Sequence, residues 1–177
     1  YCKNDPVNFL DAWGLKVFIG QRQIFGPGNH TVIILVPDNP DDFKNSVLPF
    51  VTNPSGNKEM ILSAGPNYAP NTTSIFGNLT ASFNSDTDRR QNLHNIQVII
   101  DPLNRSDTQL IKEIISAASS YQNNLPYDPI PIGPYYNSNS YTSGILQAVG
   151  IISPNLPWRQ PGGDKPIPLG INREKVI

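Results

Sequence analysis

The sequence predicts an α+β fold, an antiparallel sheet of about four to six strands packed against two helices. Short runs rich in β-branched and aliphatic residues recur through the first half of the chain, each bounded by Gly, Pro, Asn or Asp. An apolar stripe at helical spacing follows from Ser106, and a second, shorter one begins near Ser138. Strands come first and helices after, the order expected of an α+β domain.

Taken in order, Lys16 to Ile24 alternates weakly and reads as a strand or a lead-in, and Phe25-Gly26-Pro27-Gly28-Asn29 is a turn cluster. His30-Thr31-Val32-Ile33-Ile34-Leu35-Val36 is the strongest strand signal, stopped by Pro37, with His30 in its first position. Asp38 to Asn57 is a polar excursion, in which Asp38, Asp41 and Asp42 suit a solvated turn better than a metal cluster. Lys58 to Ala64 reads as a strand that turns at Gly65-Pro66-Asn67, Ile75 to Phe83 as another, and Ile96 to Ile100 as a further one ended by Asp101-Pro102. Between the last two, Asp86, Asp88, Arg89 and Arg90 read as a surface charge group, and His94 as a solvent-exposed loop residue.

Ser106 opens the clearest helix. Gln109 stands at the capping-box position, and Leu110, Ile111, Ile114, Ile115 and Ala118 form one stripe that runs to about Tyr121. Leu125 to Tyr136 is Pro-rich and extended. Tyr141, Ile145, Ala148 and Val149 then mark a short amphipathic helix with Gly150 as a left-handed stop. Ile151 to Ile177 has no convincing period and is expected to wrap the surface, anchored by Trp158 and Ile167–Leu169.

Composition narrows the function classes. A chain of 177 residues with 38% hydrophobic content suits one globular domain despite eighteen prolines and thirteen glycines. A net charge of −1 with scattered basic residues gives no footprint for nucleic acid. The single Cys2 excludes an intramolecular disulfide, and with His30 and His94 as the two histidines a Cys/His zinc site is not expected; no cofactor is called for. Gly26-Pro27-Gly28 lacks the lysine and the strand–helix context of a phosphate loop. Neither a membrane span nor a signal peptide is expected, since no long apolar run and no charged-then-apolar leader occur.

The first fifteen residues, YCKNDPVNFLDAWGL, resemble the segment that closes the core of RHS-repeat proteins, with Tyr1, Asn4, Pro6, Asn8, Asp11, Gly14 and Leu15 matching and Ala12 standing where that family usually has proline. The resemblance implies cleavage after Leu15 with Asp11 in the cleavage segment. Residues 16–177 would then be a C-terminal toxin domain, secreted with its RHS shell into a target bacterial cell, plausibly by type VI secretion, and neutralised by a cognate immunity protein. It says nothing about the chemistry of the toxin.

Chemistry is sought at the start of the second helix, where Asn137-Ser138-Asn139-Ser140-Tyr141 crowds small polar residues at the positive end of a helix dipole. A serine there serves either as an N-cap or as a nucleophile that needs a histidine base. A histidine opening a strand, several strands, a helix and then this word resemble the circularly permuted papain-like enzymes, the NlpC-type and lecithin retinol acyltransferase-like groups. In them a cysteine occupies the place of Ser138, with a glycine near the position of Gly150. The resemblance implies a permuted papain-like scaffold and His30 as base to Ser138, with Ser140 as the competing nucleophile. Asn67 and Asp101 are the candidates for a third residue. Serine in place of cysteine suits ester chemistry, so a lipid-ester hydrolase of phospholipase or acyl-transfer type is expected, with a membrane lipid as substrate. The alternatives are a peptidoglycan or protein amide hydrolase, and a toxin without enzymatic activity that binds and blocks a component of the target cell.

Overall fold

The structure is a computed structural model that describes residues 17–24, 28–46, 48–67, 74–154 and 161–169. Asp11, Leu15 and Trp158 lie outside the described residues. The chain forms one antiparallel sheet and two α-helices: β1 (Val17–Gln23), β2 (Asn29–Leu35), β3 (Val51–Thr52), β4 (Lys58–Asn67), β5 (Asn78–Phe83), β6 (His94–Val98), α1 (Asp107–Ser120) and α2 (Ser138–Ala148). The α+β expectation holds. Strand order is β3-β4-β2-β1-β6, with β5 also paired to β4.

Period-two alternation sorts the strands into two faces. Val17, Ile19, Ile33, Leu35, Met60, Leu62 and Ala64 form one cluster with Leu110, Ile111 and Ile114 of α1 and Tyr141, Ile145 and Leu146 of α2. Phe18, Val32, Ile34 and Ile61 point the other way and are covered by Leu93, Ile96 and Val98. The helices therefore lie on one face, and the chain around β6 covers the other.

β2 pairs with β4 only from Ile33↔Leu62 to Leu35↔Met60, whereas β4 from Leu62 to Asn67 pairs with β5. Past Ile33 the two strands separate. This corrects the turn expected at Gly65-Pro66-Asn67, because β4 runs through it. Proline is tolerated there because Pro66 stands opposite Leu79, whose N–H bonds to Leu125 O instead, so the ladder asks nothing of the missing donor. His94 is likewise not in a loop but opens β6 opposite Gln21.

α1 begins where the sequence places it, with the Ser106 hydroxyl accepting from Gln109 N at 3.2 Å. The Gln109 side chain, however, donates to Glu113 rather than back to the cap. Beside it, Arg105 joins Asp101 and Glu113. Residues 161–169 lie against α2, with Ile167 N donating to Ser140 O at 3.0 Å. A β-carbon on Gly144 would fall 2.3 Å from Ile167 Cγ1 and within 2.9 Å of that residue's backbone. Gly144→Ala is therefore expected to lower unfolding free energy by about 1–3 kcal/mol in urea titrations, through overpacking against a backbone that cannot yield.

Candidate active site

α2 starts on an asparagine. Asn137 Oδ1 accepts from Asn139 N at 3.0 Å and Ser140 N at 3.1 Å, and its Nδ2 donates to Pro129 O and Pro161 O. This cap leaves Ser138 out of the capping role that a serine at a helix start commonly takes. Ser138 lines a cleft of about 490 Å³, and its hydroxyl makes no hydrogen bond among the described residues.

Ser140 is placed differently. It is 0% exposed, and its hydroxyl donates to Gly162 O at 3.1 Å. Gly162 adopts φ +84, and a β-carbon there would collide with Asn137 Oδ1 and Ser140 Oγ. The hydroxyl of Ser140 is thus a packing group, and Ser140 is not among the residues that line the cleft.

The next residue along, Asn139, ties α2 to the mouth of β2. Its Oδ1 accepts from Thr31 N at 3.0 Å and Thr31 Oγ1 at 2.9 Å, while Nδ2 donates to Asn29 O at 2.9 Å. These contacts bracket His30. By strand alternation His30 falls on the face of Val32 and Ile34, whereas Thr31 faces α2. His30 and Ser138 reach the same cleft where β2 and β4 separate, and no hydrogen bond joins them.

The imidazole has another partner. His30 Nε2 lies 3.3 Å from Asp88 Oδ1, an ion-pair distance without the alignment of a good hydrogen bond. Asp88 is 4% exposed, and it also accepts from Arg22 Nε at 3.0 Å and from Ser63 Oγ at 2.7 Å. Burial pushes its carboxyl upward, but His30, Ser63 and Arg22 together outweigh that and hold it well below the usual carboxylate range. Asp88 is the residue that sequence reasoning missed. Asp86 and Arg89 do form the expected surface pair, while Asp88 turns inward from the β5–β6 connection.

Of the two third-residue candidates, Asn67 lines the cleft but makes no hydrogen bond to His30 among the described residues. Asp101 is committed to Arg105 through both oxygens, and its pKa is lowered to about 2, chiefly by that guanidinium. It has no place in the cleft lining. The rest of the wall is small and polar, with Thr80, Ser82, Ser85 and Thr87 among its residues and Ile24 as its large aliphatic member. Among the described residues no group of three His, Cys, Asp or Glu is arranged to hold a metal ion, and no helix is long and apolar enough to cross a membrane.

Comparison of the chain with family models, curated proteins and solved structures finds no match.

Two stability predictions follow from these contacts. Asn139→Ala strands Thr31 N–H and Asn29 C=O in the interior, and should cost about 2–3 kcal/mol in denaturant unfolding. Asp88, with its depressed pKa, stabilises the fold fully above the ordinary carboxylate pKa of about 3.9 and loses that contribution as pH falls toward its folded value. Melting temperature against pH should accordingly fall less steeply below about pH 4 in Asp88→Asn than in the parent chain.

Proposed function

We propose that the chain is a hydrolase in which Ser138 attacks a carbonyl carbon, His30 carries the proton and Asp88 positions the imidazole. The observation that supports this reading is the His30–Asp88 pair opening onto the same cleft as a helix-start serine whose hydroxyl makes no hydrogen bond among the described residues. On attack, the Ser138 Oγ–H proton passes to His30 as Oγ bonds to the carbonyl carbon, and the C=O electron pair moves onto oxygen. Collapse of the adduct expels the alcohol or amine, which takes the proton from His30, and water then releases the acyl group by the same steps. The developing oxyanion is favoured by the positive end of α2 and by the Ser138 amide, since the next two amides are held by the Asn137 cap. Substrate approach must close the Ser138–His30 separation, as catalytic hydrogen bonds tighten on complex formation.

An ester is the favoured bond, as expected for a serine on this arrangement, with a lipid ester as the substrate and an amide of peptidoglycan or protein as the alternative. Within the cell-to-cell setting implied by the RHS-like start, the domain is a delivered antibacterial toxin with an immunity protein as its partner. The order of His30 strand, sheet and Ser138 helix keeps the permuted papain-like scaffold as the structural reading.

A second reading rests on strand alternation, which puts His30 with Asp88 on the sheet face away from α2. There the pair would activate water directly, and Ser138 would only line the cleft.

Variants separate these readings. Ser138→Ala should lower ester hydrolysis by at least about 10³-fold without changing the melting temperature, and should abolish toxicity. Asp88→Asn should lower kcat by about 10²–10⁴-fold, because the imidazole loses the carboxylate that positions it. Retained hydrolysis in Ser138→Ala with loss in His30→Ala would establish the water-attack reading. Retained toxicity in both variants would overturn hydrolysis as the toxic activity and leave a binding toxin.

A further inference from the structure

We infer that Arg22 makes the cleft selective for substrates that carry a carboxylate or phosphate beside the scissile carbonyl, an inference that rests on the hydrolase reading and adds a substrate class to it. Arg22 sits directly across from His30 in the β1–β2 pairing, so the two side chains leave the sheet as neighbours on one face. Among the described residues the guanidinium makes its hydrogen bond to Asp88 through Nε alone. Its two terminal nitrogens carry four further N–H donors in a planar fork, the shape that matches a carboxylate or phosphate.

The ion pair has a direction. Asp88 is buried, with its side chain 5% exposed and its oxygens occupied by Arg22, Ser63 and His30, whereas the Arg22 side chain is 26% exposed and lines the cleft. An incoming group therefore meets a guanidinium that is more open to the cleft than the carboxylate it braces. Among the described residues, Tyr127 is the one further ionisable group in that lining besides Arg22, His30 and Asp88. The nearby hydroxyls of Thr80, Ser82, Ser85 and Thr87 suit the remaining oxygens of such a group.

The test uses three p-nitrophenyl esters with a common leaving group: neutral butyrate, glutarate monoester carrying a carboxylate, and 4-phosphonobutyrate carrying a phosphonate. In the full chain at least one anionic ester should exceed the butyrate in kcat/KM by about 10–100-fold, the range of a hydrogen-bonded charge contact. Arg22→Gln should abolish that ratio, whatever it does to the common rate through Asp88, and Arg22→Lys should restore part of it. The better anion separates a carboxylate-bearing substrate from a phosphate-bearing one. Ser138-dependent hydrolysis of all three esters at equal efficiency would overturn the inference and leave the hydrolase reading intact. A second measurement does not depend on turnover: glutarate and inorganic phosphate are titrated into the Ser138→Ala chain while the Arg22 Nε–H resonance is followed by NMR. A saturable shift with either anion supports the inference even if no ester is cleaved, and the absence of a shift with both overturns it.

Discussion

The arrangement depends on one side chain, Asn139. A carboxamide carries an acceptor and a donor on one rigid plane, and β2 offers the complementary pair, Thr31 N–H and Asn29 C=O, on either side of His30. Aspartate would lack the donor for Asn29 O, and leucine of similar size would leave both backbone groups unpaired in a buried place. Thr142 Oγ1 adds a further stitch to Thr31 O at 3.1 Å, and Asn139 Nδ2 also reaches Pro161 O. The start of α2, the mouth of β2 and the 161–167 segment thus form one buried polar unit. Such a network is costly when half satisfied and rigid when complete, so it fixes the start of α2 against the mouth of β2.

Burying so many polar groups beside a mainly aliphatic core requires that the sheet open at that end. β4 leaves β2 beyond Leu62 and follows β5, and the gap becomes the cleft wall from Ser63 to Asn67. Pro66 belongs to this construction, since a residue that cannot donate to a ladder fits where a neighbouring strand has withdrawn.

These features divide according to whether they are written locally. β2, the first half of β4, α1 and α2 were legible because alternation, helical period, the Ser106 start and the Gly150 stop are properties of short windows. The continuation of β4 was not legible, because Gly65-Pro66-Asn67 spells a turn in isolation and only the course of β2 and β5 makes it a strand. His30 and Ser138 were singled out by residue type and position, but their common cleft depends on a strand separation that no window encodes. Asp88 was hidden for a similar reason. It stands among Asp86, Arg89 and Arg90, where a charged run ordinarily means a solvated surface, and its burial comes from Arg22, His30 and Ser63 on three different strands. The N-cap could not be assigned by residue type alone, as Asn137, Ser138 and Ser140 all suit the role.

The missed carboxylate bears directly on how a serine rather than a cysteine would serve in the proposed chemistry. A thiol beside an imidazole is already partly ionised near neutral pH, so a cysteine enzyme works with modest help from a third residue. A hydroxyl never ionises appreciably, and its proton must pass to the imidazole as the bond to carbon forms. On the proposed chemistry the imidazolium so created would be stabilised by an anion that is itself kept ionised, and Asp88 is kept so by the imidazole, a hydroxyl and a guanidinium. Arg22 approaches through Nε and shares Oδ1 with His30, while Oδ2 accepts from Ser63, so the carboxylate is held in place beside the imidazole. On the proposed chemistry, the strand pairing that sets Arg22 opposite His30 is therefore also what allows a serine to stand where a cysteine would otherwise be needed.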